Sequence, residues 1–284
     1  MKCENQKRAG KILTIYKISL LLLFLLFSSV EANDKLSSGD VVLIPLEEPE
    51  VDYDFYYNDN LVTKIINHDR LYLLFGIPYS SSEGINSFVL SSNDVKKIIK
   101  LDINKKTYAR QDIKINKYRE KTEQELVRIY REKQEITRAK KMLYNTYPDY
   151  NFTLPVDGIV TGVYGTERFY NGIKGNYHNG HDIAAQIGTP IYAPSKGKVM
   201  LIGNYFYNGK FVMINHGNNL ISIFLHMDDI KVVKNSIVDK GQIIGTVGNT
   251  GLSTGPHLHW SVLLNNTYVD PLALVKKSKA KLDN

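Results

Sequence analysis

Thr254-Gly255-Pro256-His257-Leu258-His259-Trp260-Ser261-Val262 reads as a tight turn running into an apolar strand. The Gly-Pro pair punctuates the chain, and the residues after it suit a buried strand. Side chains at i and i+2 of a strand share a face, so His257 and His259 enter one site together. Upstream, His178-Asn179-Gly180-His181-Asp182 sets another imidazole close to a carboxylate. Together the two segments can supply three zinc ligands with an imidazole left over for proton transfer. Three protein ligands with an open fourth position is the arrangement of a catalytic zinc site rather than a structural one.

Working outward, residues 150–275 are rich in glycine and in strand-prone runs. Gly197-Lys198-Val199-Met200-Leu201-Ile202-Gly203, Phe211-Val212-Met213-Ile214-Asn215, Leu220-Ile221-Ser222-Ile223-Phe224-Leu225 and Gln242-Ile243-Ile244-Gly245-Thr246-Val247-Gly248 are examples. Strands divided by single glycines predict an all-β domain with bends and bulges. No helical pattern of useful length shows in it, and the charged tail 276–284 is expected to fray.

Residues 117–143 differ, lacking Gly and Pro and being dense in Glu, Lys and Arg. Leu126, Ile129, Tyr130, Ile136 and Leu143 fall near one helical stripe, which predicts a charged connecting helix lying across a domain surface. Lys133 interrupts the stripe and disfavours a coiled-coil dimer. Residues 40–115 carry short β-prone runs at even spacing, with Asn58-Asp59-Asn60 as a hairpin turn, and predict a small β-sandwich-like domain. No catalytic constellation appears there, and His68 reads as a surface residue. The expected fold is therefore mainly β: an N-terminal β domain at 40–115, a helix at 117–143 and a catalytic β domain at 150–275.

Residues 1–32 have the pattern of a secretory signal. Lys2, Lys7, Arg8, Lys11 and Lys17 precede the apolar run from Ile18 to Phe27, and Val30-Glu31-Ala32 offers small residues for cleavage. The run is short for a membrane span, so no stable span is expected after its removal. Cys3, the one cysteine, precedes the apolar run, so the mature chain has no disulfide framework. A net charge of +7, weakened once the five basic residues of the signal are removed, suits either an anionic partner such as cell wall or membrane surface or simply a basic soluble surface. No nucleic-acid module is recognisable.

The residues between about 153 and 272 resemble the lysostaphin-like zinc metalloendopeptidases of bacterial cell walls. The resemblance runs through Leu154-Pro155-Val156-Asp157-Gly158, Glu167-Arg168-Phe169-Tyr170-Asn171-Gly172, the 178–185 segment, Gly188-Thr189-Pro190-Ile191-Tyr192-Ala193-Pro194, Phe224-Leu225-His226-Met227, Lys240-Gly241-Gln242-Ile243-Ile244-Gly245 and the 248–259 segment. His-x-x-x-Asp alone is a weak signal; joined by His226, the glycine-rich turn and His-x-His it is specific. The resemblance implies a β-rich groove of the duplicated-hybrid-motif type, with Zn2+ held by His178, Asp182 and His259. It assigns catalytic roles without ligation to His226 and His257. We read His257 as the proton-transfer residue and His226 as the transition-state stabiliser, an exchange of the two remaining open. With the export signal, it implies an endopeptidase acting on peptidoglycan peptide stems in the periplasm or cell envelope.

Other residues carry blander expectations. His181 is read as groove wall or core, and His216 as a hydrogen-bonded residue of a strand-end turn. Gly180 and Gly255 serve backbone geometry, while Ser253 and Thr254 are turn residues or substrate contacts. Arg168, Tyr164, Tyr170 and Tyr177 are candidates for lining the groove. Two rival functions fit less well: a silent activator of another wall hydrolase, disfavoured by the intact ligand set, and a phosphocarrier, disfavoured by the export signal. The N-terminal domain, placed upstream of an intact hydrolase, is expected to restrain or position the groove, and a regulatory protein partner is left unidentified.

Overall fold

The apolar runs become strands in a mainly β structure. The computed structural model describes residues 24–29, 35–67, 69–93, 95–114 and 120–279. Cys3, His68 and most of the segment expected as a signal lie outside the described residues. Within that segment, Phe24–Ser29 is a strand paired in parallel with Val95–Ile103, although the sequence reading left it out of the fold. An apolar run of this kind completes the otherwise open edge of Val95–Ile103.

Upstream of the connecting helix, two sheets face one another. One orders Phe24–Ser29, Val95–Ile103, Gly84–Ser92, Tyr56–Tyr57 and Asn60–Leu61; the other orders Val41–Pro45, Arg70–Gly76 and Thr63–Asn67. Asn58 and Asp59, at φ 48° and 61°, make the expected turn between Tyr56–Tyr57 and Asn60–Leu61. Two positive φ values in succession match the right-handed strand twist. Val42, Ile44, Leu73 and Phe75 meet Phe88, Leu90, Ile99 and Leu101 between the sheets.

Strand period then decides where the neighbouring residues go. Val41 and Leu74 alternate with Val42, Leu73 and Phe75, so they emerge on the opposite face. There they join Ile65, Trp260, Val262, Leu264, Val269 and Leu274 in a second core. The three-stranded sheet is thus buried on both sides, and the N-terminal part shares a core with the C-terminal part.

The helix spans Glu123–Lys140, shorter than the expected 117–143. Thr122 and Glu125 form a capping box that starts it. Its docking face overlaps the apolar stripe in part. Ile129 and Ile136 are half-buried, and Ile136 packs with buried Ala139 against the cluster of Leu201, Tyr205 and Phe211, while Leu126, Tyr130 and Leu143 are exposed. Hydrogen bonds add to this contact: Phe206 N–H donates to buried Glu132 Oε2 at 2.8 Å, and Arg128 Nη2 donates to the Asn204 carbonyl at 3.0 Å. The hydrophobic stripe does not reveal the part of the face that docks through a carboxylate.

Beyond the helix, one sheet orders Ile159–Gly162, His181–Ala184, His257–Leu264, Ile221–Ile230, Gly209–Asn215, Gly197–Tyr205 and Ile237–Val238. Pro190–Tyr192, Ile243–Val247 and Thr267–Val269 attach beside this path. A separate three-stranded sheet orders Ile173–Tyr177, Glu167–Tyr170 and Arg110–Ile113. Its last strand comes from before the helix and pairs in parallel with Glu167–Tyr170. Pro271–Lys279 is a helix, correcting the expectation of a non-helical end and of fraying at 276–279, while 280–284 lie outside the described residues. Pro271 suits a first helical turn, where its missing N–H is not needed, and Leu274 and Val275 pack into the second core. So short a helix offers too few apolar positions for its period to show.

Leu74 belongs to the N-terminal sheet, whereas Trp260, the sole tryptophan, reports on the C-terminal core. Leu74→Ala is expected to lose about 2–5 kcal/mol, with Trp260 fluorescence and far-ultraviolet circular dichroism following one shared urea transition. Two separated transitions would show that the shared core does not couple the parts.

Candidate metal centre

Strand register brings the site together. Asp182 lies directly opposite His259 across antiparallel strands, and His259 lies opposite Leu225, the residue before His226. His178 follows the Ile173–Tyr177 strand and is held by its backbone, its N–H donating to the Thr166 carbonyl at 2.9 Å. Gly180 permits a close crossing: a Cβ there would lie 2.3 Å from the Trp260 carbonyl oxygen. His178, Asp182 and His259 therefore converge, with one ligand atom from each lying within 4.8 Å of the others.

The hydrogen bonds around these rings set which nitrogen faces inward. His178 Nδ1 donates to the Val163 carbonyl at 2.9 Å, leaving Nε2 for the site. His259 Nε2 donates to Ser261 Oγ at 2.7 Å, and that hydroxyl donates onward to Asn179 Oδ1 at 3.1 Å. His259 therefore presents Nδ1. Asp182 Oδ1 lies 3.0 Å from His178 Nε2 and 2.7 Å from His259 Nδ1, and those two nitrogens are 3.1 Å apart. With both rings neutral, three lone-pair bearers are crowded together, and such a set calls for a cation, whether a proton or a metal. Burial alone would raise the Asp182 carboxyl, but hydrogen bonding and charge from His178 and His259 hold it well below the usual carboxylate range. Burial also lowers His259, against the lift from Asp182.

His226 and His257 stand beside this cluster with ring centroids 4.8 Å apart. His257 Nδ1 donates to the Gly255 carbonyl at 2.8 Å, and its Nε2 lies 3.7 Å from Asp182 Oδ1. His226 Nδ1 donates to the Thr250 carbonyl at 2.8 Å. Burial pushes the His226 imidazole down to about 4, so it is neutral at pH 7 with Nε2 as an acceptor. Its backbone has φ 64°, an uncommon conformation for a residue with a side chain and one that clusters at functional sites. Its N–H donates to the Asn208 carbonyl at 3.0 Å.

His178, His226 and His259 line a cleft of about 230 Å³ whose walls include Arg168, Tyr170, Tyr177, Tyr207 and Asn208. Tyr177 is stacked on Tyr79 of the N-terminal part at 3.8 Å between ring centroids. Tyr164, another expected groove residue, is buried instead, its hydroxyl donating to the Tyr268 carbonyl at 2.9 Å. His181 is also buried and faces away from Asp182, as its neighbour on a strand must, with Nε2 2.8 Å from Asp270 Oδ1. His216 is a structural residue between the Lys196 carbonyl and Ser222 Oγ, each at 2.9 Å. Ser253 is tied into its turn, donating to the Gly255 carbonyl. Sequence reasoning missed Ser261, Asn179 and the Thr250 carbonyl. Ser261 had a signal, since it sits two residues after His259 on the same strand face.

The family model described as peptidase family M23 matches residues 176–271. The crystal structure of a peptidase M23 from Pseudomonas aeruginosa is 32% identical, with a TM-score of 0.69 over 85% of this chain and 96% of that one. This chain belongs to peptidase family M23. Among curated M23 relatives, peptidoglycan DD-endopeptidase ShyA of Vibrio cholerae is 43% identical over 34% of this chain and 22% of its own length. Lysostaphin of Staphylococcus staphylolyticus is 35% identical over 40% of this chain and 25% of its own. The chain thus spans about a quarter or less of these two relatives.

Two outcomes follow from this geometry. Ser261→Ala should weaken divalent-metal affinity by about 10–100-fold, read by competition with a chelating dye; an unchanged affinity would remove Ser261 from the centre. The second concerns acid. Burial holds His216 and His226 at about 4 in the fold against 6.5 ordinarily. Unfolded chains therefore bind more protons between those values, and stability must fall as pH drops from 6.5 toward 4. The urea midpoint of chelator-treated protein should be lower at pH 5 than at pH 7; equal midpoints would contradict this.

Proposed function

We propose that this chain is an exported zinc endopeptidase that hydrolyses peptide cross-links of bacterial peptidoglycan. The observation that carries the reading is the convergence of His178 Nε2, Asp182 Oδ1 and His259 Nδ1, with two further imidazoles on one side. Nitrogen and carboxylate donors in this number suit zinc with a position left open. The M23 membership and the printed names of the relatives support the substrate class. They also support a place outside the cytoplasm, in the periplasm or cell envelope. Among the described residues no helix is long and apolar enough to cross a membrane.

His178, Asp182 and His259 hold the metal in this reading. When bound, zinc polarises a peptide carbonyl and lowers the pKa of water toward about 7. His257 Nε2, a lone-pair acceptor facing Asp182, takes the proton from the attacking water and returns it to the leaving amine. His226 presents the same kind of acceptor, so its assignment to the developing oxyanion requires a proton on Nε2. The Ser261–Asn179 pair keeps His259 oriented.

The N-terminal part positions the groove in this reading rather than plugging it. The residues lining the cleft fall between Arg168 and His259, while Arg110–Ile113 and Tyr79 support the wall from behind. The silent-activator alternative has no feature of the site in its favour.

Purified peptidoglycan incubated with the full chain should release soluble fragments with zinc, and release should fall to background with chelator. His259→Ala should abolish release, with at least about a thousandfold loss for a removed metal ligand. New amino termini, identified by mass spectrometry, would name the bond. Metal-loaded protein that leaves peptidoglycan intact would overturn the reading.

A further inference from the structure

Arg168 is a cation with too few partners. It sits on Glu167–Tyr170, the middle strand of the sheet that includes Arg110–Ile113, and it lines the cleft with His178, His226 and His259. A guanidinium carries five N–H donors. Among the described residues, Arg168 makes one hydrogen bond, from Nη2 to Asp182 Oδ2 at 3.2 Å. Its Nε is buried without an acceptor, and only 28% of the side chain is exposed. A partly dehydrated, under-bonded cation is unfavourable unless an anion completes it.

Asp182 does not complete it. The carboxylate turns its other oxygen to His178 and His259, and that oxygen is the one offered to the metal. With a divalent ion held by two neutral imidazoles and one carboxylate, Arg168 leaves this end of the cleft strongly positive. The planar guanidinium fork is suited to a carboxylate partner.

We propose that Arg168 is a specificity residue that binds a free substrate carboxylate on the carbon bearing the scissile amide nitrogen. The inference rests on the endopeptidase reading above for the position of that amide. The guanidinium lies one carboxyl group away from the metal-facing oxygen of Asp182. From the scissile carbonyl, a carboxylate on the adjoining residue is likewise within one residue step, about 3.8 Å between Cα atoms. Two sources share this chemistry: the C-terminal residue of a peptide, and a cross-link through a diamino diacid.

The test uses the zinc-loaded full chain as wild type, Arg168→Met and Arg168→Lys, with zinc content measured for each. Hydrolysis is compared on a cross-linked muropeptide dimer with its adjoining carboxylate free and on the same dimer as carboxamide. Binding is measured by calorimetry with N-acetyl-D-alanyl-D-alanine and its C-terminal amide. Wild type should favour the acid by about tenfold or more, mainly through KM. In Arg168→Met that preference should shrink to within about twofold at unchanged zinc content, and Arg168→Lys should retain part of it. Preference on the dimer points to the cross-link, and preference confined to the dipeptide points to a C-terminal residue. Equal loss on acid and amide with loss of zinc would reduce Arg168 to a support for Asp182 and overturn the proposal. If wild type cleaves neither dimer, the endopeptidase reading falls, and the calorimetry still decides: tighter binding of the acid, lost in Arg168→Met, upholds the carboxylate site, and equal binding overturns it.

Discussion

Everything at the metal centre depends on one pairing, Asp182 opposite His259 across two antiparallel strands. Side chains alternate between sheet faces, so a slip of one residue in either strand would turn its ligand to the other side. Apolar neighbours guard against that slip. Ile183, Leu258 and Trp260 alternate with the ligands and are buried in the core beneath. The same alternation that hides these side chains presents Asp182 and His259 to the cleft. Packing of the core and placement of the ligands are therefore one constraint.

The surroundings of that pairing come from distant parts of the chain. The connecting helix holds Phe206 through Glu132, and two residues on Asn208 accepts the backbone N–H of His226. His226 keeps a left-handed backbone in the middle of a strand and needs such fixing from both its N–H and its ring. On the opposite wall, Arg110 stacks over Phe169 at 3.7 Å, beside Arg168. Tyr79 covers Tyr177, the residue before His178. The part of the molecule without catalytic residue types thus sets the rigidity of the part that has them.

Much of this was legible in the sequence, for identifiable reasons. His257 and His259 share a strand face, and that spacing is visible without a structure. The strands of both halves follow continuous or alternating apolar runs, and the Asn58–Asp59 turn follows from residue types that tolerate positive φ. What stayed hidden was polar or non-local. The helix docks through Glu132 as well as through Ile136 and Ala139, and a hydrophobic stripe shows only the apolar part of that face. Pro271–Lys279 owes its helix to burial of Leu274 and Val275 against a sheet that the local sequence does not announce. The pairing of Arg110–Ile113 with Glu167–Tyr170 leaves no trace in either segment alone, because both are short and largely polar.

That parallel pairing also bears on the order in which the molecule assembles. The 53 residues 114–166, including the whole connecting helix, separate the two strands, and closing a loop of that length costs conformational entropy before any contact forms. The ligand pairing spans more chain still, since Asp182 and His259 lie 77 residues apart. Hairpins such as Gly197–Tyr205 with Gly209–Asn215 lie between them and form early, and long-range strand pairing follows. In chain order Glu167–Tyr170 precedes the strand that carries His259, so during synthesis the wall bearing Arg168 emerges before the last metal ligand. A nascent chain would gain metal affinity only after the material of its cleft wall is already present.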